Sequence, residues 1–509
     1  MLSDDDVYEL VWRPHTDPTR SEPRDRVLLL ARGEADRRLL TEALHGSRCE
    51  VVTVGIGPEF VRSGSRGERF VLAPGRAEHH ARMWDAVLAD GPVSMVVHAW
   101  SLKGLARTPQ PAEVALGRHL ACDSLVHLTR EIEQRPETKH TGLLVITRSA
   151  VATGADSVSN PMAALSWGIT RTLASEFSGR PLAVVDVDEV DASLGEAVRV
   201  LGLSEDQFAV RAGNLLVPRM VRPTRIGSTN APADIDLARG VALVAGGLGG
   251  IGGVLLPWLV QNGCHNLLVL GRRQLSDIPG GAELLNRLTA RGARADYVAL
   301  DLADRQAVRE TLTRHEARDG IAVEHVFQLA GAVDYAPVSE LTGRALAATL
   351  RGKVDGSWSL HEATARNPLQ TFVLFSSGSA YLSSPLLGAY AAANAFADSL
   401  AWWRHAHGRV ATAVSWGFWA DVGLVDRGSA ELGRTVLPRG MRSIPPASGL
   451  QLLGQLLESG RPHSVALPTN WADWARAYPS AARAPVVEEL VPHAVDGPTD
   501  TRRSGVTST

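Results

Sequence analysis

Three side chains define the chemistry open to this chain: a serine, a tyrosine and a lysine. Ser377 closes the apolar run that begins at Thr371, and Tyr390 opens the small-residue stretch Tyr390-Ala391-Ala392-Ala393-Asn394. A phenol has a reference pKa near 10, which suits it to protonate an alkoxide formed by hydride transfer. To cycle at neutral pH it needs a neighbouring cation that stabilises the phenolate. Lys353, in Arg351-Gly352-Lys353-Val354-Asp355, is the candidate, since it sits in a Gly-flanked, otherwise apolar helical segment before the serine strand.

A proton donor of this kind needs a hydride source. Strand Val241–Ala245 runs into Gly246-Gly247-Leu248-Gly249-Gly250-Ile251-Gly252 and then the apolar helix 253–261. Gly247, Gly249 and Gly252 complete G-x-G-x-x-G. The first glycine is expected to make the tight turn, the second to admit a pyrophosphate, the third to let helix and sheet close up. The helix N-terminus offers unpaired N–H groups to the anion. The next strand ends Leu270-Gly271-Arg272-Arg273. An NAD site carries a carboxylate there; two guanidiniums instead suit the 2′-phosphate of NADPH. Asp301, followed by Leu302, ends the third strand and is placed to accept from the adenine amino group. Ala330-Gly331, after the fourth, leaves room for the nicotinamide ribose.

These residues need a scaffold of alternating strands and helices, and the pattern supplies it. Apolar runs at 27–30, 94–98, 143–147, 182–187, 241–245, 267–270, 295–299, 326–329, 371–375 and 410–415 alternate with helical segments, the first of them at 36–45. Continuous rather than alternating apolar runs indicate parallel strands covered on both faces. Thr141–Ala150 resembles Thr371–Ala380, and Val96–Ala99 precedes Val326–Leu329 by the same interval of about 230 residues. The fold expected is therefore α/β, with two Rossmann-like parallel-sheet subdomains. The first copy lacks the chemistry: Asn160 falls where Tyr390 would, Ala164 where Asn394 would, and Ala31-Arg32-Gly33-Glu34 is no phosphate loop. Residues 1–225 read as a structural subdomain, 226–485 as the catalytic one, and 486–509 as a disordered linker.

Composition excludes several other classes. With 509 residues, 45% hydrophobic content, 21% charge and a net charge of −3, the chain shows no bulk attraction to nucleic acid or a membrane surface. Its 3 cysteines, Cys49, Cys122 and Cys264, are scattered, so buried free thiols are expected rather than disulfides or a metal site. No apolar run reaches the roughly 18 residues of a membrane span. The acidic N-terminus is unlike a signal peptide, and a cytoplasmic location is expected.

Taken together, Gly246–Gly252, Leu350–Trp358, Phe375-Ser376-Ser377, Tyr390–Asp398, Ser415–Trp419 and Gly440–Pro446 resemble the ketoreductase domain of modular (type I) polyketide synthases, which are complex-type short-chain dehydrogenases/reductases. The resemblance spans roughly residues 7 to 475. It implies that Tyr390 donates the proton to a β-keto oxygen and that Ser377 hydrogen-bonds the same oxygen. Lys353 would lower the Tyr390 pKa and contact the nicotinamide ribose, and Asn394 would hold a water or Lys353 in place. It also implies a truncated, cofactor-free first subdomain, a mobile lid near 420–439, and a β-ketoacyl substrate on the phosphopantetheine arm of an acyl carrier protein. That carrier and the neighbouring synthase domains are the partners implied.

The family's His-Ala-Ala-Gly is Gln328-Leu329-Ala330-Gly331 here. Its Leu-Asp-Asp stereochemical marker falls on Val333-Asp334-Tyr335, where Asp334 alone survives, a weak lean toward that class. The opposite class's tryptophan falls on Leu382, and its absence is the other ground for that lean; a usual glutamine falls on Leu387. Asp334, Tyr335, Leu382 and Leu387 are the candidate substrate-guiding residues. Two other readings remain open: the same reduction on a free or CoA-bound ketone, or with epimerisation of the α-carbon; and a non-catalytic NADPH-binding scaffold.

Overall fold

Apolar runs between turn residues become parallel strands when helices cover both sheet faces, and that arrangement runs through the whole chain. The computed structural model describes residues 2–492 apart from 17–24, 46–48, 65–68, 105–108, 155–157, 178, 189, 201–202, 225–234, 383 and 423–436. Residues 225–234, at the expected boundary between the subdomains, most of the lid candidate and the tail beyond 492 therefore lie outside the described residues.

In the second half the strand order across the sheet is Arg294–Ala299, Asn266–Gly271, Val241–Ala245, Val323–Gln328, Thr371–Ser377, Thr412–Trp416 and His463–Ala466, all parallel. In the first half it is Arg69–Leu72, Glu50–Ile56, Arg26–Ala31, Met95–Ser101, Gly142–Arg148, Leu182–Val187 and Gln207–Arg211, again parallel. Each half thus starts in mid-sheet, winds one way, and reverses at its fourth strand, the doubly wound order. The first half is the shorter. Between Glu50–Ile56 and Arg69–Leu72 it forms only the short strand Val61–Ser63 among the described residues, where the second half has the helix Gly281–Ala290.

All the strands read from the sequence form, with ends shifted by a few residues. The strand that joins the halves was not among them. In Val7–Pro14, Val7 and Tyr8 pair with Ala466 and Val465 of the second half, while Glu9 to Pro14 pair antiparallel with Leu216 to Val221 of the first. Among the described residues, seventeen strands make one continuous sheet.

The halves also meet helix to helix. Ala164–Glu176 packs along Gly388–Ala406, and a Cβ on Gly168 would lie 2.3 Å from the Ala392 nitrogen. No side chain fits there, so the backbones touch. Ser399 Oγ donates to the Ala150 carbonyl at 2.7 Å, and Arg171 donates to the Ala380 carbonyl at 2.5 Å.

One expected boundary is corrected. Val486, Val487 and Leu490 are buried in a cluster with Tyr8, Met220 and Trp471, so the chain stays packed past 486. Their apolar side chains cap the seam between the halves. All three cysteines are free and buried. No helix among the described residues is long and apolar enough to cross a membrane.

Because Gly168 faces backbone, G168V is expected to lower stability by about 1–3 kcal/mol, the usual cost of overpacking. The check is a lower urea midpoint, with G195V as control, since no atom lies within 4 Å of a Cβ at Gly195.

Candidate active site

Lys353 reaches the site through an irregular helix. Residues 343–363 run as α-helix Gly343–Leu350, a π-helical turn Arg351–Asp355, and α-helix Gly356–Ala363. A π turn widens the helix by one residue and redirects the side chains on it, often at functional sites. Gln328, at the switch-point strand end, fixes this turn: its Nε2 donates to the Gly352 carbonyl at 2.7 Å and its Oε1 accepts from the Ala330 amide at 2.9 Å. Lys353 is buried, donates to the Phe375 carbonyl, and lies 5.8 Å from the Tyr390 ring centroid. Burial lowers its pKa to about 8, with the Asp398 carboxylate pulling the other way.

The first half repeats the device. Pro111–Arg118, a π turn His119–Asp123, and Ser124–Gln134 form the matching helix, and Ala121 occupies the middle position that Lys353 holds in the second.

Ser377 ends its strand and caps the following 3-10 turn, its Oγ accepting from the Ser379 amide at 3.3 Å. Tyr390 lies in the first turn of Gly388–Ala406. Burial raises its pKa; hydrogen bonds from Ser377 and Asn394 pull it down and Tyr335 pushes it up. The expected depression by Lys353 is not among these influences: the ammonium is bonded to the Phe375 carbonyl. Asn394 is fully buried one turn on. Its Nδ2 donates to the Tyr390 carbonyl at 2.8 Å, and its Oδ1 has no partner. Beneath it, Ser376 Oγ donates to the Asn394 carbonyl at 3.3 Å, and Ser415 Oγ lies 3.2 Å from Ser376 Oγ, 3.1 Å from Asp398 and 3.2 Å from His463 Nε2.

The glycine loop takes the shape of an anion cradle, with one change of roles. The left-handed residue is Gly246, at φ 79°, not Gly247. A Cβ on Gly246 would meet the Ala330 nitrogen at 2.8 Å, and one on Gly252 would lie 2.2 Å from the Gly247 carbonyl. Gly247 packs instead against Val244 and Val269 beneath the loop. Gly249 caps the helix Gly250–Gln261.

A cavity of about 1280 Å³ joins these parts. Its walls include Gly246, Leu248, Gly249, Gly250, Ile251 and Gly252, then Arg272, Arg273, Asp301, Leu302, Ala330 and Gly331, then Lys353, Ser377 and Tyr390. Gly247 and Asn394 stand behind the wall. Asp301 accepts from Arg351 at 2.5 Å; burial pushes its carboxyl up, but Arg351 and the Ala303 amide hold it below its ordinary value. Beyond Tyr390 the cavity continues past Tyr335, Leu382 and Leu387. Asp334 does not line it. That side chain is exposed and accepts from the Tyr335 amide at 3.0 Å.

Residues that the sequence left without a role also line the cavity. Tyr297 donates to the Arg273 carbonyl at 2.6 Å. Trp416 and Trp419 pack against each other and Phe375, with their indole N–H groups unpartnered. The Ser415–Trp419 motif flagged the tryptophans; Tyr297 carried no local signal.

A doubly wound sheet with a glycine cradle, and with serine, tyrosine and lysine gathered near its switch point, defines a short-chain dehydrogenase/reductase. Comparison with known proteins narrows this. Residues 240–421 match the KR domain family, and residues 11–220 match the Rossmann fold domain of polyketide synthase extender module SpnB. Polyketide synthase GfsA of Streptomyces halstedii is 32% identical over 514 residues, covering 98% of this chain and 6% of GfsA. Erythronolide synthase EryA3 of Saccharopolyspora erythraea is 34% identical over 357 residues, covering 69% of this chain and 11% of EryA3. A solved structure of A-type ketoreductases from a modular polyketide synthase superposes with a TM-score of 0.78 at 28% identity, covering 96% of this chain and 98% of that one. The chain belongs to the ketoreductases of modular polyketide synthases. It spans a small fraction of the length of its curated relatives.

Burying Lys353 costs stability while the lysine is charged. Its folded pKa of about 8 lies below the unfolded 10.5, so the cost is fully present below pH 8 and fades as the pH rises toward 10.5. K353M is therefore expected to stabilise the cofactor-free protein at pH 7 by an amount on the order of 2–3 kcal/mol. Urea unfolding at pH 7 and pH 10 checks this: the advantage should shrink at the higher pH.

Proposed function

We propose that the protein reduces the β-keto group of a β-ketoacyl thioester, carried by an acyl carrier protein, to a β-hydroxyacyl thioester with NADPH during polyketide chain elongation. The observation that carries this reading is one cavity with the glycine cradle and the Arg272–Arg273 pair at one end and Ser377, Tyr390 and Lys353 at the other.

The residues fit a dinucleotide. At Gly246 and Gly252 a side chain would collide with backbone, and the amides opening Gly250–Gln261 suit a pyrophosphate. Arg272 and Arg273 would take the 2′-phosphate, Asp301 the adenine edge, and Ala330 and Gly331 the ribose. NADPH held there supplies the hydride.

The side chains manage the oxygen. Ser377 Oγ donates to the keto oxygen and aims it. Tyr390, kept protonated by burial, gives its proton as the oxygen gains charge, so both stabilise charge that develops in the transition state. Lys353 would stabilise the phenolate left behind once its ammonium turns from the Phe375 carbonyl toward Tyr390. The unpartnered Asn394 Oδ1 accepts from a water that returns the proton. The thioester enters past Leu382 and Leu387, where an apolar wall suits an acyl chain. In this reading the carrier and neighbouring synthase domains are the partners, and the enzyme is cytoplasmic.

Y390F is expected to fold and bind NADPH but to lose about 10²–10⁴-fold in kcat, the range for a general acid. NADPH oxidation with a β-ketoacyl thioester checks it, and an unchanged rate would sink the reading. Carrier-bound and CoA-bound substrates compared in the same assay separate the two carriers. Replacing both guanidiniums, R272A with R273A, is expected to raise KM for NADPH roughly 10–100-fold, from the loss of charge-assisted hydrogen bonds, and to leave KM for NADH nearly unchanged.

A further inference from the structure

One carboxylate of the first half reaches into the wall of the catalytic cavity. Glu176 ends the helix Ala164–Glu176. Its Oε1 accepts from the Leu386 amide and its Oε2 from the Val338 amide, both at 2.9 Å. Those amides belong to the two loops of the second half that flank the site. Leu386 and Leu387 line the cavity immediately before the Tyr390 helix, and Val338 lies three residues after Tyr335, which also lines it.

The two loops are also joined to each other. Ala336 and Leu387 form a parallel bridge, and the Ala336 amide donates to the Leu386 carbonyl at 3.1 Å. The arrangement is tight: a Cβ on Gly388 would lie 2.5 Å from Val338 Cγ2. Leu386 is held at φ 68°, a left-handed conformation costly for leucine, and its side chain is largely exposed. A carboxylate at a helix C-terminus is unfavourable against the macrodipole. Two unfavourable local choices, the strained leucine and the acidic helix end, meet in one pair of hydrogen bonds.

We propose that Glu176 is a positioning residue for the reduction: by clamping the Leu386 and Val338 amides together, it sets the width and shape of the acyl-binding wall and so selects the face of the ketone presented to Tyr390. The specificity of the second half then depends on a side chain of the first. This rests on the reductase reading given above.

The test uses the full chain, NADPH, and the N-acetylcysteamine thioester of a racemic 2-methyl-3-oxoacyl group. E176A removes both acceptors; E176Q keeps one and presents an amide donor to the other N–H, and serves if E176A does not fold. R130A is the control. Arg130 also crosses from the first half, donating to the Ser339 and Leu341 carbonyls at 3.0 and 2.6 Å, but neither residue lines the cavity. The Glu176 variants are expected to raise substrate KM at least 5-fold and to lower the ratio of major to minor product diastereomer at least 5-fold. The Kd for NADPH should be unchanged, and amide exchange at Leu386 and Val338 should quicken. Unchanged KM and product ratio in an active Glu176 variant overturn the proposal, as does the same shift in R130A. If the wild type turns nothing over, the reductase reading fails instead, and protection of the two amides decides the clamp: unchanged exchange in E176A overturns it.

Discussion

Everything at the site hangs on a missing Cβ. At Gly168 two helix backbones come into contact across the two halves, and the second of those helices carries Tyr390, Asn394 and Asp398 in successive turns. Where it meets Gly168 it presents Ala391 and Ala392, so at that crossing its distance from the neighbouring helix is set by backbone rather than by deformable side chains. Cores packed to this density transmit small displacements instead of absorbing them. A fixed helix therefore fixes the phenol relative to Ser377 on the adjoining strand, the accuracy that proton transfer requires.

The second constraint is electrostatic. An ammonium and a carboxylate, Lys353 and Asp398, are both buried in the second half. Burial pushes Asp398 up, while His463, Ser376, Ser415 and Tyr381 pull it back. Removing charges from water is costly unless polar partners replace the solvent. Ser376, Ser415 and His463 come from three different strands and Tyr381 from the turn after the first of them, so the network is complete only when the second-half sheet is assembled. The π turn belongs to this constraint, since it is what turns Lys353 inward onto the Phe375 carbonyl.

What the sequence disclosed were features written locally. The glycine loop, the arginine pair, the serine strand and the tyrosine helix each occupy a few consecutive residues, and the repeat showed as short matching runs at one interval. What it hid depends on residues far apart in the chain. Strand Val7–Pro14 pairs with partners more than 200 residues away. Val486 and Val487 sit in a Pro-bounded, acidic exit that looks like linker until Tyr8 and Met220 are seen beneath them. Gly246 and Gly247 cannot be told apart by type; only the turn shows which one is left-handed. Asp334 aligned with a family marker, yet it is exposed and does not line the cavity. A motif position conveys register along the chain but not the direction of a side chain.

The duplicated π turn separates scaffold from chemistry. Both halves widen the same helix at the same place, and both tie it to the fourth strand or its neighbours through a buried polar side chain: Gln328 to Gly352 in the second, His98 to Ser124 at 2.8 Å in the first. Yet the first half has Ala121 where the second has Lys353. The wide turn is therefore not a distortion forced by the lysine; it is a property of this helix against this sheet, and the lysine exploits it. By the same reasoning the first half is more than a leftover copy. Its strand order lets it extend the sheet, its Gly168 lets it set the height of the tyrosine helix, and its Glu176 reaches the loops around the ketone. A half with no tyrosine, lysine or phosphate loop of its own at these positions contributes to the site through the geometry it imposes.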